Sequence, residues 1–183
     1  MRIRIAASAA AAAAVLLLAA CTSNQPRSDK PGPSRTPTAD KPLALGTPWR
    51  WKFSDPDVAG TTSVLAYTQP VTGLEAPGKR PGLEDGVWAT AEVKVCNAGG
   101  YNISASRFPW SLAYSDGTRV QVTTLGGGDM PKPEYPLDET VIKGGDCLRG
   151  KIPFVVPGSG WPERVVYTPA GAAEPKEWAV PAR

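Results

Sequence analysis

Between Trp49 and Val180 apolar side chains recur at every second position in short runs separated by glycine and proline, and no stretch of ten residues carries a 3.6-residue apolar repeat. That pattern disfavours amphipathic helices and points to half-buried strands. Twenty Pro and 19 Gly reinforce it, because both destabilise helix interiors and suit turns. In Trp49-Arg50-Trp51-Lys52-Phe53 the aromatics share one face and the cations the other. From Val87 to Val95, small and apolar residues alternate with Thr, Glu and Lys, giving the clearest half-buried strand. Phe108, Trp110, Leu112 and Tyr114 fall on one face, and Ser115-Asp116-Gly117-Thr118 then reads as a tight hairpin turn. Residues 118–124 form the return strand, with Val120 and Val122 inward. Ile152 to Val156, Val165 to Tyr167, Glu177 to Val180 and, less distinctly, Thr62 to Thr68 supply further strands. Seven or eight short strands and no helix predict an all-β chain, an antiparallel β-sandwich. Trp49, Trp51 and Trp110 share faces with other large apolar residues and are expected in its core.

The amino-terminal segment is of a different kind. Arg2 and Arg4 precede an apolar run from Ile5 to Ala20 that only Ser8 interrupts. A membrane-spanning helix needs about 20 apolar residues; this shorter, alanine-rich run reads as a signal peptide. Its end, Leu18-Ala19-Ala20-Cys21, resembles the bacterial lipobox. The resemblance implies diacylglycerol on the Cys21 thiol, further acylation of the palmitate type, and cleavage before Cys21 by signal peptidase II. The competing reading is an ordinary signal peptide cut elsewhere. Residues 22–41 are rich in Pro, Ser and Thr and hold one apolar residue, Ala39, a composition expected to stay a partly extended tether. The expected organisation is therefore a signal peptide over 1–20, a lipidated Cys21 with its tether over 21–47, and a folded domain over 48–183. That domain, of roughly 140 residues, is large enough to bury its own core.

Composition excludes more than it assigns. The formal charge is +3, but without Arg2 and Arg4 the mature chain holds 18 basic and 17 acidic residues. No basic run remains to neutralise a row of phosphates, so no nucleic acid is expected as a partner. Histidine is absent, which removes the usual general base and the commonest transition-metal ligand. Met130 is the only methionine of the mature chain, so a copper site of the His or clustered-Met type is not expected. The acidic clusters Asp55-Pro56-Asp57, Glu84-Asp85 and Asp138-Glu139 lack the ligand spacing of a calcium hand, and no Gly-x-Ser-x-Gly or Ser-x-x-Lys nucleophile motif occurs. The expectation is a chain that is not an enzyme and carries neither metal nor cofactor.

With Cys21 given to the lipid, Cys96 and Cys147 are left as an even pair in an oxidising compartment, which predicts a disulfide; two buried free thiols are the alternative. Cys96 follows the polar side of its strand, and Cys147 is out of phase with Ile152 and Phe154. In unbulged strands this parity puts the bridge outside the core. Trp161 lies in the loop Pro157 to Pro162, and Trp88 shares parity with Thr90 and Glu92. These two are the candidate exposed anchors at a partner interface. The alternative for a loop tryptophan is to fold over a sheet edge.

A family resemblance rests on an ordered set of short motifs. They are Val-x-Val-Cys-Asn (93–97), Phe108 to Leu112, Ser115-Asp116-Gly117, Gly144 to Cys147, Arg149 to Pro157 and Val-x-Tyr (165–167). In this order they resemble the immunoglobulin-like domain of unknown function of Gram-positive, especially actinobacterial, surface lipoproteins. That group is similar in fold to a mycobacterial immunoprotective secreted protein. The resemblance covers about residues 48–180 and implies an immunoglobulin-like sandwich; its motifs are fold-level and assign no chemistry. The functional expectation is a lipid-anchored module on the outer face of the cell membrane, joined to that membrane through Cys21, that binds or scaffolds another envelope protein without catalysis. The alternative is an envelope glycan or small-ligand module using Trp88 or Trp161.

Overall fold

A computed structural model describes residues 41–55, 57–78, 85–125 and 128–183. Cys21, the signal segment and residues 22–40 of the tether lie outside the described residues. The chain forms eleven strands: β1 Leu43–Ala44, β2 Trp49–Lys52, β3 Ala59–Thr68, β4 Gly86–Asn97, β5 Ile103–Ala105, β6 Trp110–Ala113, β7 Arg119–Gln121, β8 Thr140–Ile142, β9 Cys147–Pro157, β10 Arg164–Tyr167 and β11 Lys176–Ala179. Among the described residues there is no helix. One sheet has the order β1-β11-β10-β6-β7, a second β2-β3-β4-β9, and β5 with β8 make a small third. Every pairing between these strands is antiparallel except β1 with β11.

The two larger sheets face each other across the core, as period-two alternation requires. Val93, Val95, Ile152, Phe154 and Val156 come from one, and Trp110, Leu112, Val165 and Trp178 from the other; all are essentially inaccessible. Trp110 stacks on Tyr167 with ring centroids 4.3 Å apart and lies 6.1 Å from Trp178. Burying one such ring contributes several kcal/mol, since truncating a core aromatic to Ala costs about 3–5 kcal/mol.

The strand count exceeds the expected seven or eight because β1, β5 and β8 have only two or three residues, too few to show a period. The folded unit also begins before residue 48. Leu43 pairs with Trp178, the Gly46 amide donates to Val64 O at 2.7 Å, and the Trp178 indole donates to Thr47 O at 2.9 Å. Phe108 departs from the shared face expected for it. It is 55% exposed, because the Trp110 amide bonds back to Arg107 O and strand β6 starts only at Trp110.

The hairpin at Asp116-Gly117 forms as the sequence indicates. Gly117 takes φ 86°, a conformation that suits glycine, and the Thr118 amide donates to the Asp116 carboxylate at 2.8 Å. Strand β9 contains one internal proline, Pro153, and ends on another, Pro157. The Lys151 amide donates to Pro133 O, Lys151 O accepts from Tyr135, and Pro153 O accepts from Thr123. Lys151 and residues of its parity, Pro153 and Pro157, thus direct their main-chain groups away from β4. A proline there removes no donor from the β4 ladder and blunts the sheet edge.

Cys96 and Cys147 are directly opposed on β4 and β9 and joined by a disulfide, with Cα atoms 4.0 Å apart. Cys96 is half-buried and Cys147 exposed. The bridge lies on the outer face beside Lys94 and Arg149, as parity predicts.

Candidate functional site

Strand β2 is the outer strand of its sheet, so one flank of Trp49 and Trp51 has no neighbouring strand. Trp51 pairs across the ladder with Gly60, and its ring occupies the space where a Cβ on Gly60 would stand. Its indole N–H donates to Thr62 Oγ1 at 3.0 Å. The ring is thereby fixed against β3 with its polar edge satisfied. Trp49 meets Tyr167 of the opposite sheet edge-on, with centroids 6.4 Å apart at 73°, and Trp51 meets Phe53 at 5.6 Å and 51°.

These four rings, with Val58 and Ile103, line a cleft of about 250 Å³. Among the described residues Ser104, Ser106 and Glu139 are the hydrophilic side chains on its wall, and no Lys or Arg lines it. Glu139 is exposed. Burial pushes the Tyr167 phenol up to about 12, so that ring is a neutral wall at any physiological pH. On the other side of Trp49, Trp51 and Phe53 lies a shallower groove bordered by Arg50, Lys52 and Lys176.

The structure places the sequence-predicted residues apart from this cleft and from one another. Trp88 lies on the outer face, as its parity implies, but is only 6% exposed. The segment Leu74–Gly78, with Leu125 and Met130, surrounds it, and its indole donates to Glu75 O at 2.7 Å. This corrects the expectation of an exposed anchor: strand parity fixes a face, and a distant loop then covers that face. Trp161 is half-buried. It meets Tyr67 edge-on at 5.4 Å, donates to Pro181 O at 2.9 Å and carries the Arg183 guanidinium 4.4 Å from its ring centre. It folds over a sheet edge beneath Pro181 and Arg183, and its remaining surface borders a shallow groove with Pro162 and Val180. Trp49 and Trp51, the cleft tryptophans, are expected in the core from their parity. They do pack against it, yet are only half-buried. The available signal was three aromatics at alternate positions, more than a short strand at a sheet edge can bury.

Two buried polar residues that sequence reasoning missed hold the surrounding loops. Arg107, 2% exposed, donates to Leu125 O, Tyr135 O and the Glu134 carboxylate, the last also an ion pair at 2.8 Å. Asn97 donates to Tyr101 O and Ile142 O and accepts from the Gly99 amide, tying the end of β4 to β8. Among the described residues no three His, Cys, Asp or Glu side chains converge as a metal-binding group.

Two facing sheets, with strands that alternate between core and solvent, define a β-sandwich of the immunoglobulin-like kind. The solved structure of MPT63, a secreted protein from Mycobacterium tuberculosis, is similar in fold: TM-score 0.56 at 19% identity, covering 76% of this chain and 98% of that one. Two other solved structures align less well. The YjhA protein from Bacillus subtilis gives a TM-score of 0.46 at 16% identity over 69% of this chain and 81% of its own. A functionally unknown protein from Listeria monocytogenes gives 0.48 at 13% identity over 74% and 82%. No protein-family profile matches the sequence, and no curated protein matches it. The likeness to MPT63 concerns fold alone.

Proposed function

We propose that the chain is a non-catalytic binding module, anchored through lipid on Cys21 to the outer face of the cell membrane, and that the aromatic cleft is its ligand site. The observation that carries this reading is the cleft itself. It combines concave ring walls with a few polar groups, the usual composition of a small-molecule site, and among the described residues no side-chain hydrogen bond joins its serines to Glu139. The exposed disulfide and the likeness in fold to a secreted protein support an extracytoplasmic address, and the lipobox and lipoprotein-domain resemblances support the anchor. The alternative ligand reading thus becomes the principal one, with Trp49 and Trp51 in place of Trp88 and Trp161. An inhibitor of the lipoprotein signal peptidase is expected to leave the uncleaved precursor in the membrane, and unchanged processing would remove the anchor. Soluble envelope fractions are expected to quench tryptophan fluorescence in the wild type and not in Trp51→Leu; equal quenching of both would remove the site.

A protein partner is the second reading. Tyr101, Phe108 and Val141, each more than half exposed, lie in or beside the small β5–β8 sheet, and scattered apolar groups of this kind can serve a contact surface. Crosslinking in membranes with and without Val141→Lys and Tyr101→Lys is its test, with loss of a discrete adduct expected.

A further inference from the structure

We propose that the cleft takes a compact organic cation, an alkylated or quaternary ammonium group, held by the aromatic rings of Trp49, Trp51 and Phe53 with Glu139 as counter-charge. The inference rests on reading the cleft as the binding site and narrows its ligand. The first argument is charge. Among the described residues Glu139 is the only carboxylate on the wall, and no Lys or Arg lines it. The β2 cations, Arg50 and Lys52, alternate onto the opposite face of their strand and border the adjoining groove rather than this cleft. A concave aromatic wall whose one lining charge among the described residues is a carboxylate favours cations.

The second argument is the disposition of the rings. A sugar platform presents a flat aromatic face on which a pyranose can lie. Here the neighbouring rings meet at 73° and 51°, so they form corners that suit a rounded group touched on several sides. Trp51 has its N–H committed to Thr62, and the half-buried rings of Trp49, Trp51 and Phe53 supply aromatic surface for cation–π recognition, backed by the buried Tyr167 ring that stacks on Trp110. The third argument is size. The cleft, about 250 Å³, is smaller than the ~300–1,000 Å³ of sites for drug-sized ligands, and an ammonium headgroup fits that scale.

Calorimetric titration of the full chain, in non-ionic detergent at constant ionic strength, would compare choline with its uncharged isostere, in which a quaternary carbon replaces the nitrogen. Choline is expected to bind about tenfold more tightly than the isostere. Glu139→Gln, at an exposed position, should weaken choline about twofold to fivefold and leave the isostere unchanged. Trp51→Leu should weaken both, with a near-ultraviolet spectrum confirming that the sandwich is intact. Equal affinities for the two ligands would overturn the cation and leave the cleft standing as an apolar site. Binding of neither would overturn the cleft as a small-ligand site and the cation with it.

Discussion

Arg107 directs one guanidinium at three acceptors contributed by the loop between β7 and β8, and its own amide bonds Pro136 O at 3.1 Å. Replacing it with alanine leaves buried carbonyls without partners and the Glu134 carboxylate with a weaker environment. Arg107→Ala is expected to destabilise the domain by about 3 kcal/mol in chemical denaturation. Arg107→Lys should recover only part, because a single ammonium cannot reproduce the planar fork. A loss below about 1 kcal/mol would show the loop is held by other means. Buried tyrosines set a second residue-scale expectation. Burial holds Tyr167 at about 12 and raises Tyr67 and Tyr135 further, whereas in the unfolded chain tyrosine ionises near 10. The unfolded state therefore releases these protons first. Their contribution to stability is complete below pH about 10 and declines as pH climbs toward 12. Thermal midpoints followed alongside tyrosinate absorbance should fall steeply in that window; a flat midpoint there would contradict it.

At the scale of the element, the β4–β9 pair gathers most of the consequences. The disulfide closes a loop between residues separated by 51 positions, and a closed loop of this length stabilises by about 4 kcal/mol in the chain-entropy model. Because Cys147 is exposed and the bridge stands clear of the core, a mild reductant should open it in the folded protein. Near-ultraviolet circular dichroism should be retained while the denaturation midpoint drops. Unfolding concurrent with reduction would mean the bridge holds the sandwich closed. The strands β4 and β9 were legible in advance because twelve and eleven residues give alternation room to repeat. β1, β5 and β8 were not, since two or three residues carry no period and exist only where a neighbouring backbone supplies the hydrogen bonds. Phe108 shows the opposite failure. Its parity with Trp110 and Leu112 is real, but parity holds only within a strand, and Pro109 lies in a turn.

Over the whole molecule, the residues that periodicity could rank are distinguished from those it could not by what covers them. Alternation along the chain determined by itself that the protein is all-β, that Val93, Leu112, Ile152 and Phe154 face inward, and that the Cys96–Cys147 bridge faces out. These follow from the local geometry of an extended backbone, which sends successive side chains to opposite faces. Absence of histidine and the near balance of charge likewise narrowed the chemistry before any fold was considered. The tertiary structure alone decided which outward or edge positions stay open. Trp88 faces outward and is closed over by the 74–78 segment, Trp161 is overlaid by the carboxyl-terminal residues, and Trp49 and Trp51 face inward yet border a cleft because β2 has no strand beyond it. Exposure of this kind depends on residues from 13 to 118 positions away, as in Trp88 with Glu75 or Trp49 with Tyr167, and no local pattern encodes such distant coverage.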